Sequence, residues 1–314
     1  MRVDSVMISY IRCLRYCHLI SEDDLTKSSD SEKLKNWPQR GLVHLNNVEM
    51  KYRPHLPPAV KDLNVIFAAG EKIGIVGRTG AGKSSILNIL FRMYEIRRGA
   101  IMIDGINASD LGLHSLRTKI SVIPQTPFVL TGSIKFNLDP YKKYTDQAIW
   151  KALKDVELEG YVKSMKDGIL TEISSTNNDV FSVGQKQLLC LARVLLINNK
   201  ILVLDEATSN IDLETDKLIQ LKIKELFTDC TVITIAHKIF TIADYDKVLV
   251  MGKGKALEYD APFKLLCGDI QVSHIDKSGS FAEMVKAMGN QSAAKVFEIA
   301  RNKYQQDIFK RRIK

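Results

Sequence analysis

Apolar positions along the chain fall into runs whose spacing names the elements. Residues 43–52 alternate in part, 60–67 follow beyond a proline-broken stretch at 54–58, and 72–76 form a short, nearly all-apolar run. These read as three strands, with Ala69-Gly70 turning the chain between the last two. Residues 100–105 and 120–125 are two more short strands, the second stopped by Pro124. Over 126–200 the strand signal fades, and 146–155, 158–166 and 185–197 take helical spacing, which predicts an inserted helical subdomain. Continuous apolar runs return at 201–204, 231–235 and 248–251, as in a parallel sheet buried on both faces. A helix over 214–227 links the first two of these runs. The pattern predicts an α/β chain with a mostly parallel sheet flanked by helices.

The ends differ from this middle. Val3, Val6, Tyr10, Leu14 and Cys17 make one stripe of an amphipathic helix within 1–20. Residues 21–40 are polar, serine-rich and close on Trp37-Pro38, the mark of a linker. The main domain then spans 41–290, and its last part is helical. Residues 291–314 are polar and basic and read as a mobile tail.

Composition changes this picture little. The chain has 314 residues, 45% hydrophobic and 26% charged, with a formal charge of +9. Basic residues cluster weakly, at Arg97-Arg98 and at 310–314, and aromatics do not interleave with them, so nucleic acid is not the expected partner. Phosphate ligands or an anionic membrane surface suit the charge better. The five cysteines form no CxxC pair, which fits reduced thiols rather than a disulfide framework or metal site. No apolar run reaches membrane-spanning length.

The chemistry starts at Gly77, Arg78, Thr79, Gly80, Ala81, Gly82, Lys83 and Ser84, followed by Ser85. The stretch stands between a strand and a helix, the setting a GxxxxGK[ST] loop requires. Its glycines let the backbone approach an anion, and the helix start offers unpaired N–H groups and a positive dipole end. Lys83 can reach outer phosphates, and the Ser84 hydroxyl can ligate Mg²⁺. Far along the chain, the apolar run at 201–204 ends in Asp205 and Glu206. Acids at the carboxyl end of a parallel strand lie where open α/β sheets bind ligands. Asp205 suits the metal and Glu206 the attacking water. Ser182 caps a further helix whose start is a second anion site, one that is usable by nucleotide bound to another subunit.

Together these stretches resemble the nucleotide-binding domain of ATP-binding-cassette (ABC) transporters. In detail they resemble the second such domain of the C subfamily, the multidrug-resistance-associated exporters. The likeness runs from about Trp37 to Phe281. It rests on GRTGAGKSS, IPQTPFVLTG, NLDP, FSVGQKQLLCLAR, ILVLDEATS, SNID and TIAHK. The resemblance implies a P-loop NTPase core with an N-terminal antiparallel β-subdomain and an inserted helical subdomain. It implies ATP and Mg²⁺ as ligands, with Tyr52 on the adenine and Gln125 beside Asp205 at the metal. It also implies Lys83 and His237 on the phosphates, with Glu206 as base. Ser182, Gly184, Gln185 and Asp212 are implied to act at the nucleotide of a partner domain. The expected setting is the cytoplasmic face of a membrane, next to transmembrane domains on the same or another chain. Residues 1–36 resemble the end of the last membrane helix and its linker, so the chain reads as a fragment or half of an exporter. Four departures stand out: Thr176-Asn177-Asn178 before the signature, Val183 in place of a glycine, Lys186 in place of an arginine, and Asn210-Ile211 within SNID. An ATP-gated module with little turnover and a soluble ABC ATPase are the alternatives. A GTPase is disfavoured because no NKxD base-reading motif is present.

Overall fold

The computed structural model describes all residues except 1, 20, 29, 31–33, 35, 174–179, 206–210, 237, 269–273 and 314. Strand β1 (Val43–Met50) explains the partial alternation seen in sequence. Val43, Leu45, Val48 and Met50 are all buried, so the inward set skips one residue. The skip is a bulge: Asn47 takes a left-handed φ of 48°, and the pairing with β2 (Val60–Phe67) shifts register there. β2 carries a matching left-handed residue, Asp62. With β4 (Arg98–Ile103) and β5 (Ile106–Asn107) these strands make an antiparallel sheet in the order β2-β1-β4-β5.

The second sheet positions the site. Its strands are β3 (Lys72–Gly77), β6 (Ile120–Ile123), β9 (Ile201–Asp205), β10 (Thr231–Ile235), β11 (Lys247–Gly252) and β12 (Lys255–Asp260), in the order β12-β11-β3-β10-β9-β6. All pairs are parallel except β11 with β12. β10 lies between β3 and β9 in space although it follows both in sequence, so the chain reverses its direction across the sheet there. Every residue in 201–204 and 231–235 is buried, as the continuous apolar runs predicted.

Helix α2 (Lys83–Leu90) follows β3 and buries Ile86, Ile89 and Leu90 in the core between the two sheets. A small α3 (Leu113–Arg117) precedes β6. The segment predicted to be helical contains α4 (Ile134–Leu138), α5 (Asp146–Asp155), α6 (Glu159–Lys163) and α7 (Val183–Ile197). It also holds a two-residue ladder, β7 (Gly132–Ser133) with β8 (Glu172–Ile173), too short to leave a period in sequence. Its core is continuous with the main sheet: Leu189 and Leu191 of α7 share one apolar cluster with Leu153 of α5 and with Leu202 and Leu204 of β9. Helix α8 (Leu213–Leu226) completes that side.

Both ends are better anchored than their composition suggests. The described part of 21–40 lies on the core. Asp23 meets Arg92 at 2.8 Å, Glu22 meets Arg117 at 3.0 Å, and Asp30 accepts from the Ser115 hydroxyl at 2.6 Å. The Trp37 indole N–H donates to the Ile103 carbonyl at 2.9 Å. Burial works against the Arg92 charge, but the carboxylates of Asp23 and Glu95 outweigh it and raise its pKa. At the other end, α9 (Pro262–Leu266), α10 (Ser280–Lys286) and α11 (Asn290–Ile313) pack together. The expected mobile tail is therefore a 24-residue helix. Ala293, Val296, Phe297 and Ala300 recur at three- and four-residue spacing and bury against Phe263 and Phe281. Helix α1 (Arg2–Cys17) does expose its stripe, with Val3, Val6, Tyr10 and Leu14 all open. No helix among the described residues is long and apolar enough to cross a membrane.

Candidate functional site

The parallel strands deliver the expected residues to one edge of the sheet. β3 ends at Gly77, which pairs with Met251, and β9 ends at Asp205, which pairs with Ile235 of β10. β6 ends at Ile123, opposite Leu204, so Pro124 and Gln125 leave the sheet beside Asp205. The glycine loop, the Asp205 end and the Gln125 segment are thus neighbours at the carboxyl ends of the strands. Glu206, His237 and the pair Asn177-Asn178 lie outside the described residues; β9 and β10 bring the chain to the same edge just before the first two.

The loop itself is built to leave donors open. α2 starts at an N-cap glycine, Gly82, with φ 98°, and no side chain caps it. The first N–H groups of the helix therefore have neither an intrahelical partner nor a side-chain acceptor. No acid stands in the first turn. The Lys83 ammonium arches back over the loop, 2.9 Å from the Gly77 carbonyl and 3.4 Å from that of Arg78. An ammonium satisfied by carbonyls above a row of open N–H groups is a cradle for a polyanion. Ser84 is exposed at the mouth, Gln125 is exposed and Asp205 half-buried. Hydroxyl, amide and carboxylate oxygens are hard donors and match Mg²⁺, which binds few protein groups and completes its shell with phosphate and water. Among the described residues no cluster of three or more His, Cys, Asp or Glu competes for the ion.

Tyr52 sits just past β1 on the flank of α2. Its hydroxyl is 2.9 Å from Ser85 Oγ and accepts from Asn88 Nδ2 at 3.1 Å. Tyr94 packs edge-to-face with it, ring centroids 4.8 Å apart. The ring borders a cleft lined by Lys51, Arg53, Pro54, Glu95 and Arg97.

The signature residues are held by capping. Ser182 accepts from the Gln185 N–H at 3.2 Å, and the Gln185 side chain accepts from the Ser182 N–H at 2.9 Å, a complete capping box at the start of α7. Asp212 caps α8, accepting from the N–H and the hydroxyl of Thr215, and these bonds hold its carboxyl below the usual range. Gly184 lets the two helix starts meet: a Cβ there would stand 2.7 Å from Thr215 Cγ2. Gly184→Ala is expected to cost about 1–3 kcal/mol by overpacking. Thr215→Ser should recover part of the loss in the same background. Urea unfolding checks both, and an unchanged midpoint for Gly184→Ala would remove this packing role.

Three residues that sequence reasoning passed over fix the Gln125 segment. Gln187, fully buried on α7, donates to the Pro124 carbonyl at 3.0 Å. Arg193 donates to the Phe128 carbonyl at 2.8 Å and to Asn137 Oδ1 at 2.8 Å. Asn137 in turn accepts from the Leu130 N–H and donates to the Leu130 carbonyl. Desolvation pulls the Arg193 pKa down, partly offset by Cys190. Asn137 belongs to the NLDP stretch and Gln187 and Arg193 to FSVGQKQLLCLAR, the two local signals that could have flagged this network.

Comparisons with known proteins agree with the geometry. The family model described as "ABC transporter" matches residues 60–209. "ATP-binding cassette sub-family C member 4" of Homo sapiens is 42% identical over 96% of this chain and 22% of its own length. "ATP-binding cassette sub-family C member 2" of Rattus norvegicus is 45% identical over 85% of this chain and 17% of its own length. "Multidrug resistance protein mrp-7" of Caenorhabditis elegans is 47% identical over 81% of this chain and 16% of its own length. The chain thus spans less than a quarter of these relatives. Among solved structures, a bacterial Atm1-family ABC exporter with ATP bound superposes with a TM-score of 0.71 at 30% identity, covering 80% of this chain and 42% of that one.

Proposed function

The chain carries an ABC transporter ATPase domain of the C-subfamily kind, and on that premise we propose that it binds MgATP and hydrolyses it in a head-to-tail pair with a second such domain, driving export through transmembrane segments. The observation that carries this reading is the convergence of the open glycine loop, Asp205 and Gln125 on one edge of the parallel sheet.

Each residue then has a task. Main-chain N–H groups of the glycine loop and of the first turn of α2 hold the phosphate chain, and Lys83 turns from its two carbonyls toward the outer phosphates. Ser84, Gln125 and Asp205 would hold Mg²⁺, which neutralises charge on the phosphate oxygens when bound. Glu206 orients and deprotonates the attacking water, and His237 meets the terminal phosphate. Tyr52 stacks on the adenine. Ser182, Gly184, Gln185 and Asp212 present the start of α7 and its neighbour α8 to the nucleotide of the partner domain. Phe128, exposed beside Gly132, fits a surface where membrane-domain segments dock, since Arg193 ties this stretch to α7. Closure around nucleotide would then be felt at that surface. Helix α1 suits the end of a membrane helix, and the setting is the cytoplasmic face. The position is that of the second nucleotide-binding domain of the exporter.

The test is to mix the chain with MgATP and a first-type C-subfamily nucleotide-binding domain. Phosphate release should appear only with both domains present and ATP-dependent pairing seen by light scattering. Pairing without release would favour the gated, low-turnover alternative. Failure of the chain to bind MgATP at all would defeat the reading.

A further inference from the structure

We propose that Gln187 is a positioning residue for the metal side of the site: its hydrogen bond to the Pro124 carbonyl sets where the Gln125 amide stands, and so how well Mg²⁺ is held. This rests on the reading that Gln125 and Asp205 serve the ion of a nucleotide bound at the loop 77–84. The bond is 3.0 Å long, and its direction is not open. A carbonyl oxygen only accepts, so the Gln187 amide nitrogen faces Pro124 and Oε1 points the other way. The bonded oxygen belongs to the peptide unit that joins Pro124 to Gln125. That unit is planar, so holding its oxygen also fixes the N–H and Cα of Gln125. The sheet does not carry on to do this: the register with β9 ends at Ile123, and Pro124 has no N–H to extend it. Gln125 itself is exposed and lies in a bend.

Gln187 is a firm anchor for that peptide. It is fully buried, and its neighbours Leu188, Leu189 and Leu191 on α7 share an apolar cluster with Ile123 and Leu204. Packing alone does not call for a glutamine at this place. Among the described residues its Oε1 is buried with no hydrogen-bond partner, a cost that a methionine of similar length would avoid. What the amide supplies, and methionine cannot, is the donor aimed at Pro124.

Titration calorimetry of the full chain with ATP, once with Mg²⁺ and once with EDTA, gives the factor by which the ion tightens binding. Gln187→Met should lower that factor roughly three- to tenfold and leave the metal-free affinity unchanged. Its urea midpoint should stay close to that of the unaltered chain, because losing the bond and removing the unpartnered oxygen offset each other. Gln125→Ala changes an exposed residue, so it should fold, and it should lower the same factor. In that background Gln187→Met should have no further effect, which a general packing defect would not reproduce. An unchanged factor in Gln187→Met, an equal loss with and without Mg²⁺, or additive losses in the double variant would each overturn the proposal. If the unaltered chain bound no ATP, the phosphate loop would fall and the positioning role with it. ATP binding that Mg²⁺ did not tighten would remove the metal reading of Gln125 and overturn the proposal as well. A silent Gln187→Met in a chain whose ATP binding responds to Mg²⁺ removes only the positioning role.

Discussion

Glu206→Gln is expected to leave MgATP affinity within about twofold of the unaltered chain while cutting phosphate release roughly 10²- to 10⁴-fold. Binding rests on the loop at 77–84 and on Lys83, at the end of β3, two strands away from β9. Glutamine has nearly the same shape as glutamate, so the edge of β9 should not repack. It cannot take a proton from water, and it lacks the charge that would orient one. Asp205 stays in place because its strand is paired on both sides, to β10 and to β6. The expected signature is therefore a domain that binds ATP, pairs with its partner and stays closed. A fluorescent phosphate sensor and equilibrium dialysis, run on the same paired sample, read the two quantities. Release at the unaltered rate would remove Glu206 from the role of base. Loss of binding in step with release would instead give it a structural or metal-holding role.

What could be read in the sequence was what is local. The glycine loop, the buried parallel strands and the Ser182 cap each occupy fewer than a dozen consecutive residues, and the physics that produces them acts over that range. The contacts of Tyr52 were not legible, because Ser85 and Asn88 are 33 and 36 residues away and meet it only once β1 has docked beside α2. Gln187 and Arg193 were hidden for the same reason. Their partners at Pro124 and Asn137 are 63 and 56 residues distant, and a glutamine or arginine within an apolar helix reads as a solvated face. The docking of residues 21–40 depends on pairs such as Arg92 with Asp23, 69 residues apart, which no composition window can see. Helix α11 is a different case. Its stripe of Ala293, Val296, Phe297 and Ala300 was present in the sequence with helical spacing, but the surrounding lysines, arginines and glutamines dominated the composition. Bulges at Asn47 and Asp62 spoiled the alternation of β1 and β2 while leaving the strands intact, so the period was weaker than the structure it encoded.

Gly82→Ala is expected to abolish measurable MgATP binding, a loss of roughly 10²-fold or more, whereas Gly80→Ala should only weaken it. Both glycines hold left-handed φ angles, 98° and 77°, so a Cβ costs backbone strain at either, about 1–2 kcal/mol. Space separates them. A Cβ on Gly80 would meet no protein atom within 4 Å, while one on Gly82 would stand 2.6 Å from the carbonyl oxygen of Ala59. That oxygen belongs to backbone, at the threshold of β2, and cannot swing aside as a side-chain tip could. The clash must therefore be relieved at Gly82, which is the N-cap of α2. Any shift there turns the first N–H groups of the helix away from a common centre and moves Lys83 with them. A polyanion is bound by the convergence of those donors, so a small rotation removes several bonds at once. Stability should fall too, by about 1–3 kcal/mol, because α2 buries Ile86, Ile89 and Leu90 in the core it shares with both sheets. Measuring MgATP titration and urea unfolding on the two variants side by side tests the distinction. If Gly80→Ala and Gly82→Ala lost affinity equally, backbone strain alone would govern the loop, and the contact with Ala59 would have no bearing on the site.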